Sequence, residues 1–143
     1  MEHTFGFIIK SKNKYLICHP FGSSWGDGNW SLPKGRAKKG ESELETALRE
    51  TKEETSLDLK SYKGKISKIG TFVYPSRKKE ITIFLFEGDK NLKFKEVSCA
   101  SLITHGEYKG KPEIDLCVWV SLKEAKSKLH NSVFPALNML KDE

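Results

Sequence analysis

No apolar run in this sequence approaches the roughly 20 residues that a membrane-crossing helix needs, so no membrane partner is expected. Cysteine is scarce: Cys18, Cys99 and Cys117 are the three in 143 residues. Their number is odd, their spacing is wide and no C-x-x-C pair occurs. That argues against a disulfide framework and against a structural zinc site, and it fits a reducing cytoplasm. Histidine is equally sparse, and His3, His19, His105 and His130 show no metal-ligand spacing. The opening stretch, MEHTFGFIIKSKNKY, has no basic segment followed by a long apolar one, so it reads as a strand and not as a signal peptide. No repeat, low-complexity tract or linker divides the chain. One domain, residues 1–143, is expected.

What the sequence does have is charge. Charged residues make up 31% of the chain and the net charge is +6, which suits an anionic partner. The lysines are spread out, and no dense basic tract or basic-aromatic motif of an RNA module is present. Alternating and apolar segments predict strands at 4–10, 14–19, 64–75, 80–89 and 113–122, with a short strand near 30–32 and another at 93–97. Helices are predicted at 42–56, at 121–130 with Ser121 as N-cap, and at 132–140. The order does not alternate strictly between strand and helix, so a mixed sheet packed between helices is the simplest arrangement.

The helix at 42–56 carries the chemistry. At about 100° per residue, Leu44, Ala47, Leu48, Thr51 and Thr55 form one stripe, which is expected to face the core. Glu43, Glu50, Glu53 and Glu54 fall on nearly the opposite side, and the last three converge through i+3 and i+4 spacing. Three like charges so close are unfavourable in an isolated helix. Hard carboxylate oxygens in a cluster are what Mg²⁺ or Mn²⁺ requires. Just ahead lies LPKGRAKKGE, a glycine-bearing loop with Lys34 and Arg36 leading to a helix N-terminus, an arrangement that favours phosphate. A solvated charged face remains the competing reading, and the loop tips the balance towards a polyphosphate site.

Residues 35–57, GRAKKGESELETALRETKEETSL, resemble the signature of the Nudix hydrolases, G-x5-E-x7-R-E-U-x-E-E-x-G-U with U a bulky apolar residue. Gly35, Glu41, Arg49, Glu50, Glu53, Glu54 and Leu57 match. Thr51 stands where an aliphatic residue is usual, and Ser56 where glycine is usual. The resemblance implies an α/β (α+β) fold, the family's α/β/α sandwich with a mixed sheet between helices. It implies a pyrophosphohydrolase in which water attacks phosphorus and a phosphoanhydride breaks. By the same resemblance Glu50, Glu53 and Glu54 would ligate Mg²⁺ or Mn²⁺ with the Gly35 carbonyl. Arg49 would hold the carboxylates in place. Glu41 would orient Arg49 or reach metal through water, or else simply favour the helix dipole. EIDLCVWVSLKEA resembles a segment of diadenosine tetraphosphate hydrolases and puts Glu113 forward as general base or further metal ligand, with Glu107 and Glu96 as alternatives.

The substrate expected from this likeness is a diadenosine polyphosphate. Tyr74, 17 residues after Leu57, and Trp25 are the stacking candidates for a base, with Lys34 and Arg36 on the phosphates. Trp30 is expected to anchor the loop in the core. ADP-ribose, another dinucleotide, diphosphoinositol polyphosphate and an RNA 5′ end stay open as substrates. A non-catalytic nucleotide sensor is the alternative from a different class, disfavoured by the intact glutamates and by the lack of an attached DNA-binding domain. The protein is expected as a cytoplasmic monomer or homodimer.

Overall fold

The computed structural model describes residues 1–89, 99 and 101–140. The strand expected at 93–97, and with it Glu96, lies outside them. Two strands open the chain, β1 (Glu2–Ser11) and β2 (Lys14–Pro20). They turn through Lys12, which takes the left-handed region at φ 55. Their mutual pairing is short, with Lys10 opposite Tyr15 and Ser11 opposite Lys14. Beyond it the two strands part, and β3 (Lys34–Arg36) pairs antiparallel with β1, Gly35 opposite Phe5.

The long helix α1 (Glu43–Thr55) follows. Then come β4 (Gly64–Val73), β5 (Lys79–Gly88) and β6 (Ile114–Val120), and the short helices α2 (Leu122–Lys128) and α3 (Phe134–Leu137). The sheet runs β4-β5-β1-β2-β6, with β3 paired to β1 off that path. β1 and β5 are parallel over their whole length and the other pairs are antiparallel, so the sheet is mixed as expected.

Both faces of the sheet are covered, which is why β1 and β5 read as continuous apolar runs. On one face Phe5, Phe7, Ile9, Leu16, Phe84 and Phe86 pack with Ala47 of α1. On the other, Ile8, Tyr15, Ile17, Ile81, Ile83 and Leu85 pack with Ala125 of α2 and with Ala136 and Leu137 of α3. Each large side chain buried this way stabilises by about 1.5–3 kcal/mol. Ser121 caps α2 in a reciprocal box with Glu124.

Two elements differ from expectation. No strand forms at 30–32. Trp30 and Ser31 make isolated bridges to Leu129 and Cys18, and the strand lies beyond Pro33, where β1 has lost β2 and offers free ladder groups. The helix expected at 132–140 is shortened to a 3₁₀ turn, Asn131–Val133, and the four residues of α3, with Pro135 in the first turn.

Candidate active site

Ser42 caps α1 through a capping box with Glu45. The helix ends at Ser56, held at φ 66 where glycine is easiest. Between these ends Glu53 lies opposite the apolar stripe, as the sequence reading had it, but Glu54 does not. Glu54 is 4% exposed. At about 100° per residue it stands only about 80° from the centre of the stripe, so it is carried under β3 and not into solvent. Thr51 and Thr55 are fully buried, as the stripe requires.

β3 lies against this side of the helix. A Cβ on Gly35 would collide with the Glu50 carboxyl, so glycine is there for close approach. The Lys34 backbone N–H donates to Glu54 Oε1 at 3.4 Å. Burial and the nearby Glu50 push the Glu54 pKa well up, and Glu113 adds to the effect. Glu50 is also raised, by burial first, against the lowering pull of Arg49. Two crowded carboxyls that resist ionisation together need a proton or a cation between them.

Arg49 supplies positive charge on the outer side. Its Nε donates to Glu41 Oε2 at 2.6 Å and its Nη1 to Glu50 Oε1 at 2.8 Å and to Glu53 Oε2 at 3.2 Å. Its Nη2 donates to the Arg36 carbonyl at 2.9 Å and to Glu41 Oε1 at 3.0 Å. Glu41 also accepts from the Lys38 N–H and the Thr46 hydroxyl. Held chiefly by Arg49, its pKa falls to about 2. Arg49 thereby ties the loop after β3 to the helix.

Glu113 immediately precedes β6. Its backbone carbonyl accepts from Phe21 N–H at 2.9 Å and its own N–H donates to Ser101 at 2.9 Å. The Ser101 N–H in turn donates to the Glu53 carbonyl at 3.2 Å. The 101–113 segment is thus pinned to the end of α1, and Glu113 comes within electrostatic reach of Glu54. Glu107 is exposed and hydrogen-bonds Tyr108. Among the described residues, no group of three or more His, Cys, Asp or Glu side chains stands ready-arranged as a metal cage. Arg49 draws Glu50 and Glu53 towards itself while Glu54 turns to Lys34. The donor set still fits Mg²⁺ or Mn²⁺, because its oxygens are hard and the single Arg49 cation does not balance the crowded Glu50, Glu53 and Glu54 carboxylates.

Lys34 joins this cluster to a cleft on the other face of the sheet. The cleft holds about 260 Å³ and is lined by Lys34, Trp30, Tyr74, Lys79, His130 and Ser132, among others. His130 carries no signal in the sequence, because the cleft is made from residues far apart in the chain. Its Nδ1 accepts from the Ser132 N–H at 3.1 Å, which leaves the proton on Nε2. Burial, then Lys34 and Lys79, lower its pKa, so the ring is neutral. It lies 5.8 Å from the Tyr74 ring. The buried Trp30 indole N–H has no hydrogen-bond partner among the described residues. Trp25 stands beside the cleft and not in its lining, 57% exposed, stacked on His19 at 3.5 Å and edge-on to Trp30 at 5.9 Å. The Arg36 side chain points outward, 3.9 Å from Glu2.

A family model, the NUDIX domain, matches residues 3–141. No curated protein matches the sequence. Among solved structures, an Ap4A hydrolase binary complex from C. elegans is 21% identical with a TM-score of 0.63, over 88% of this chain and 84% of that one. The NUDIX domain of Shewanella oneidensis NrtR complexed with ADP ribose is 14% identical with a TM-score of 0.69, over 96% and 84%. A bifunctional NMN adenylyltransferase/ADP ribose pyrophosphatase from Francisella tularensis, complexed with AMP and Mn ion, is 18% identical with a TM-score of 0.70, over 97% and 40%.

Proposed function

The chain belongs to the Nudix hydrolase family, and from that premise we propose that it is a Mg²⁺- or Mn²⁺-dependent pyrophosphohydrolase acting on diadenosine polyphosphates. The observation that carries this reading is the position of Lys34. Its backbone touches the buried carboxylate and its side chain lines the aromatic cleft. A nucleoside seated against Tyr74, Trp30 and His130 would direct its phosphates past Lys34 and Lys79 towards Glu50, Glu53 and Glu54. A cleft of about 260 Å³ is smaller than the ~300–1,000 Å³ of sites that enclose drug-sized ligands. It has room for one nucleoside and not for both ends of a dinucleotide.

In this reading Glu50, Glu53 and Glu54 hold the metal with the Gly35 carbonyl, and Glu113 stands within reach. The metal would neutralise the phosphate charge and polarise the phosphoryl group. The chain's own groups do the rest. Lys34 fixes the phosphate chain, and Arg49 keeps Glu50 and Glu53 in place, itself set by Glu41. The exposed Arg36 side chain, loosely paired with Glu2, would meet phosphates that extend beyond the cleft. Every Arg49 donor is engaged with Glu41, Glu50, Glu53 or Arg36. Glu113 faces the cluster without that restraint, and we assign to it the proton of the attacking water.

The test is product analysis on a panel: diadenosine tetra- and triphosphate, ADP-ribose, diphosphoinositol polyphosphate and 5′-triphosphorylated RNA. Each is incubated with Mg²⁺ or Mn²⁺, alongside a Glu53→Gln control. Diadenosine tetraphosphate should yield ATP and AMP, and the variant should be inactive. Faster turnover of another substrate would move the assignment within the family. No turnover together with no metal binding would sink the enzymatic reading and favour a nucleotide sensor.

A further inference from the structure

Cys18 on β2 and Cys117 on β6 are directly opposed across the sheet. The N–H and C=O of Cys18 both bond Ser31, at 2.8 and 2.7 Å, on the side away from β6. A residue in an antiparallel ladder turns both groups to the same neighbour. Towards β6, Cys18 and Cys117 therefore form a non-hydrogen-bonded pair, the type in which Cα atoms approach to about 4.5 Å. A disulfide spans Cα separations of about 4.4–6.8 Å. The backbone is thus already placed for a cross-link. The Cys117 thiol donates to Cys18 Sγ at 3.5 Å, and small side-chain rotations bring that to the roughly 2.05 Å of a bond. Cys18 is fully buried and Cys117 half-buried, so an oxidant meets Cys117 first. Cys99 also lies within electrostatic reach of Cys18, but its thiol donates to the Ser101 carbonyl at 3.3 Å.

We propose that Cys18 and Cys117 are a modification site, oxidised by a hydroperoxide to a reversible intrachain disulfide. In the first step the Cys117 sulfur attacks a peroxide oxygen. The O–O bond breaks, and with hydrogen peroxide one water leaves and Cys117 becomes a sulfenic acid. In the second step the Cys18 sulfur displaces the sulfenic hydroxyl. The S–S bond forms, the S–O bond breaks, and the Cys18 proton departs with the hydroxide as a second water. Two thiols are oxidised and one peroxide is reduced. The bond fastens β6, the strand that begins just after Glu113, to β2. Cys18 lies within electrostatic reach of Glu54. The proposal does not depend on the hydrolase reading, since its readout is chemical.

The experiment treats the full chain with hydrogen peroxide, removes the excess with catalase, and counts thiols under denaturing conditions with a maleimide mass tag. Two of the three thiols should be lost, the intact mass should fall by two hydrogen atoms, and peptide mapping should join Cys18 to Cys117. Dithiothreitol should restore all three. Cys99→Ser should form the same bridge, and Cys117→Ser, a half-exposed replacement, should leave Cys18 reduced. A bridge that includes Cys99, a bridge between chains, or Cys117 driven to sulfinic acid beside a free Cys18 would overturn the proposal.

Discussion

Thr51 and Thr55 sit one turn apart on α1, and both are fully buried, yet the same substitution should act on them with opposite sign. The Thr51 hydroxyl has no hydrogen-bond partner among the described residues. A buried, unpaired hydroxyl costs about 1–3 kcal/mol. Thr51→Val removes that cost in nearly the same volume and with little change in helix propensity, so it should stabilise by about 1–2 kcal/mol. At about 2–4 °C per kcal/mol for a chain of this size, the melting temperature should rise by roughly 2–8 °C. Thr55 is the reverse case. Its hydroxyl donates to the Thr51 carbonyl at 2.7 Å and accepts from the Leu57 N–H at 3.2 Å. Thr55→Val breaks both bonds and strands a buried backbone donor, a loss of about 2–3 kcal/mol. Urea unfolding of both variants in chelator, where metal binding adds nothing to stability, reads the difference as a shift of midpoint at unchanged slope. The reasoning fails if Thr51→Val destabilises, or if the two variants move the midpoint the same way.

Other outcomes follow from the same geometry. Gly35→Ala should leave the circular dichroism spectrum unchanged but lower kcat/KM by roughly 10²-fold, since its Cβ displaces the Glu50 carboxyl; near-normal kinetics would show that Glu50 is not placed by this contact. The Arg49 guanidinium holds the Glu41 pKa down at about 2, against an ordinary value of 4.5, so its contribution to stability is complete above pH 4.5 and is lost as pH falls towards about 2. Glu41→Gln should therefore differ most from the wild type above that window and converge with it below, in urea midpoints measured across acid pH. Mg²⁺ or Mn²⁺ added to chelated protein should raise the melting temperature at neutral pH by relieving the Glu50–Glu54 repulsion; no rise would separate these carboxylates from metal binding. His130→Ala should raise KM while kcat stays close to normal, the pattern of lost ground-state binding, and an equal fall in kcat would place His130 nearer the chemistry than the cleft.

The extent of α1 was legible from its apolar stripe and charged face; the capping box at Ser42 and the αL turn at Ser56 are what the structure adds. The arms of the β1–β2 hairpin were legible from their apolar patterning. β3 was not, because KGR has no strand propensity of its own and pairs only where β1 is left open by the parting of β2. The burial of Glu54 was missed for a related reason. Helical angles place its side chain at the margin of the stripe, and only the approach of Gly35 decides that the margin is covered. Arg49, Glu50, Glu53 and Glu54 could be singled out together because they lie within one and a half turns. The cleft brings Lys34, Tyr74 and His130 together from three distant segments, and no spacing rule in one sequence records such a meeting.

The parallel pairing of β1 with β5 also bears on how the chain is made. Phe7 lies beside Phe84, which is added 77 residues later. At ribosomal rates of about 5–20 residues per second, that is a wait of roughly 4–15 s. Through it the segment FGFII, apolar towards both layers, has only the short Lys10–Tyr15 register and the three residues of β3 to hold it. Local elements such as α1 can form at once, but the centre of the sheet cannot close until β5 has emerged. Nascent chains stalled before β5 has left the ribosome should accordingly bind chaperones through the first strand, and chains long enough for β5 to have cleared the exit tunnel should release them.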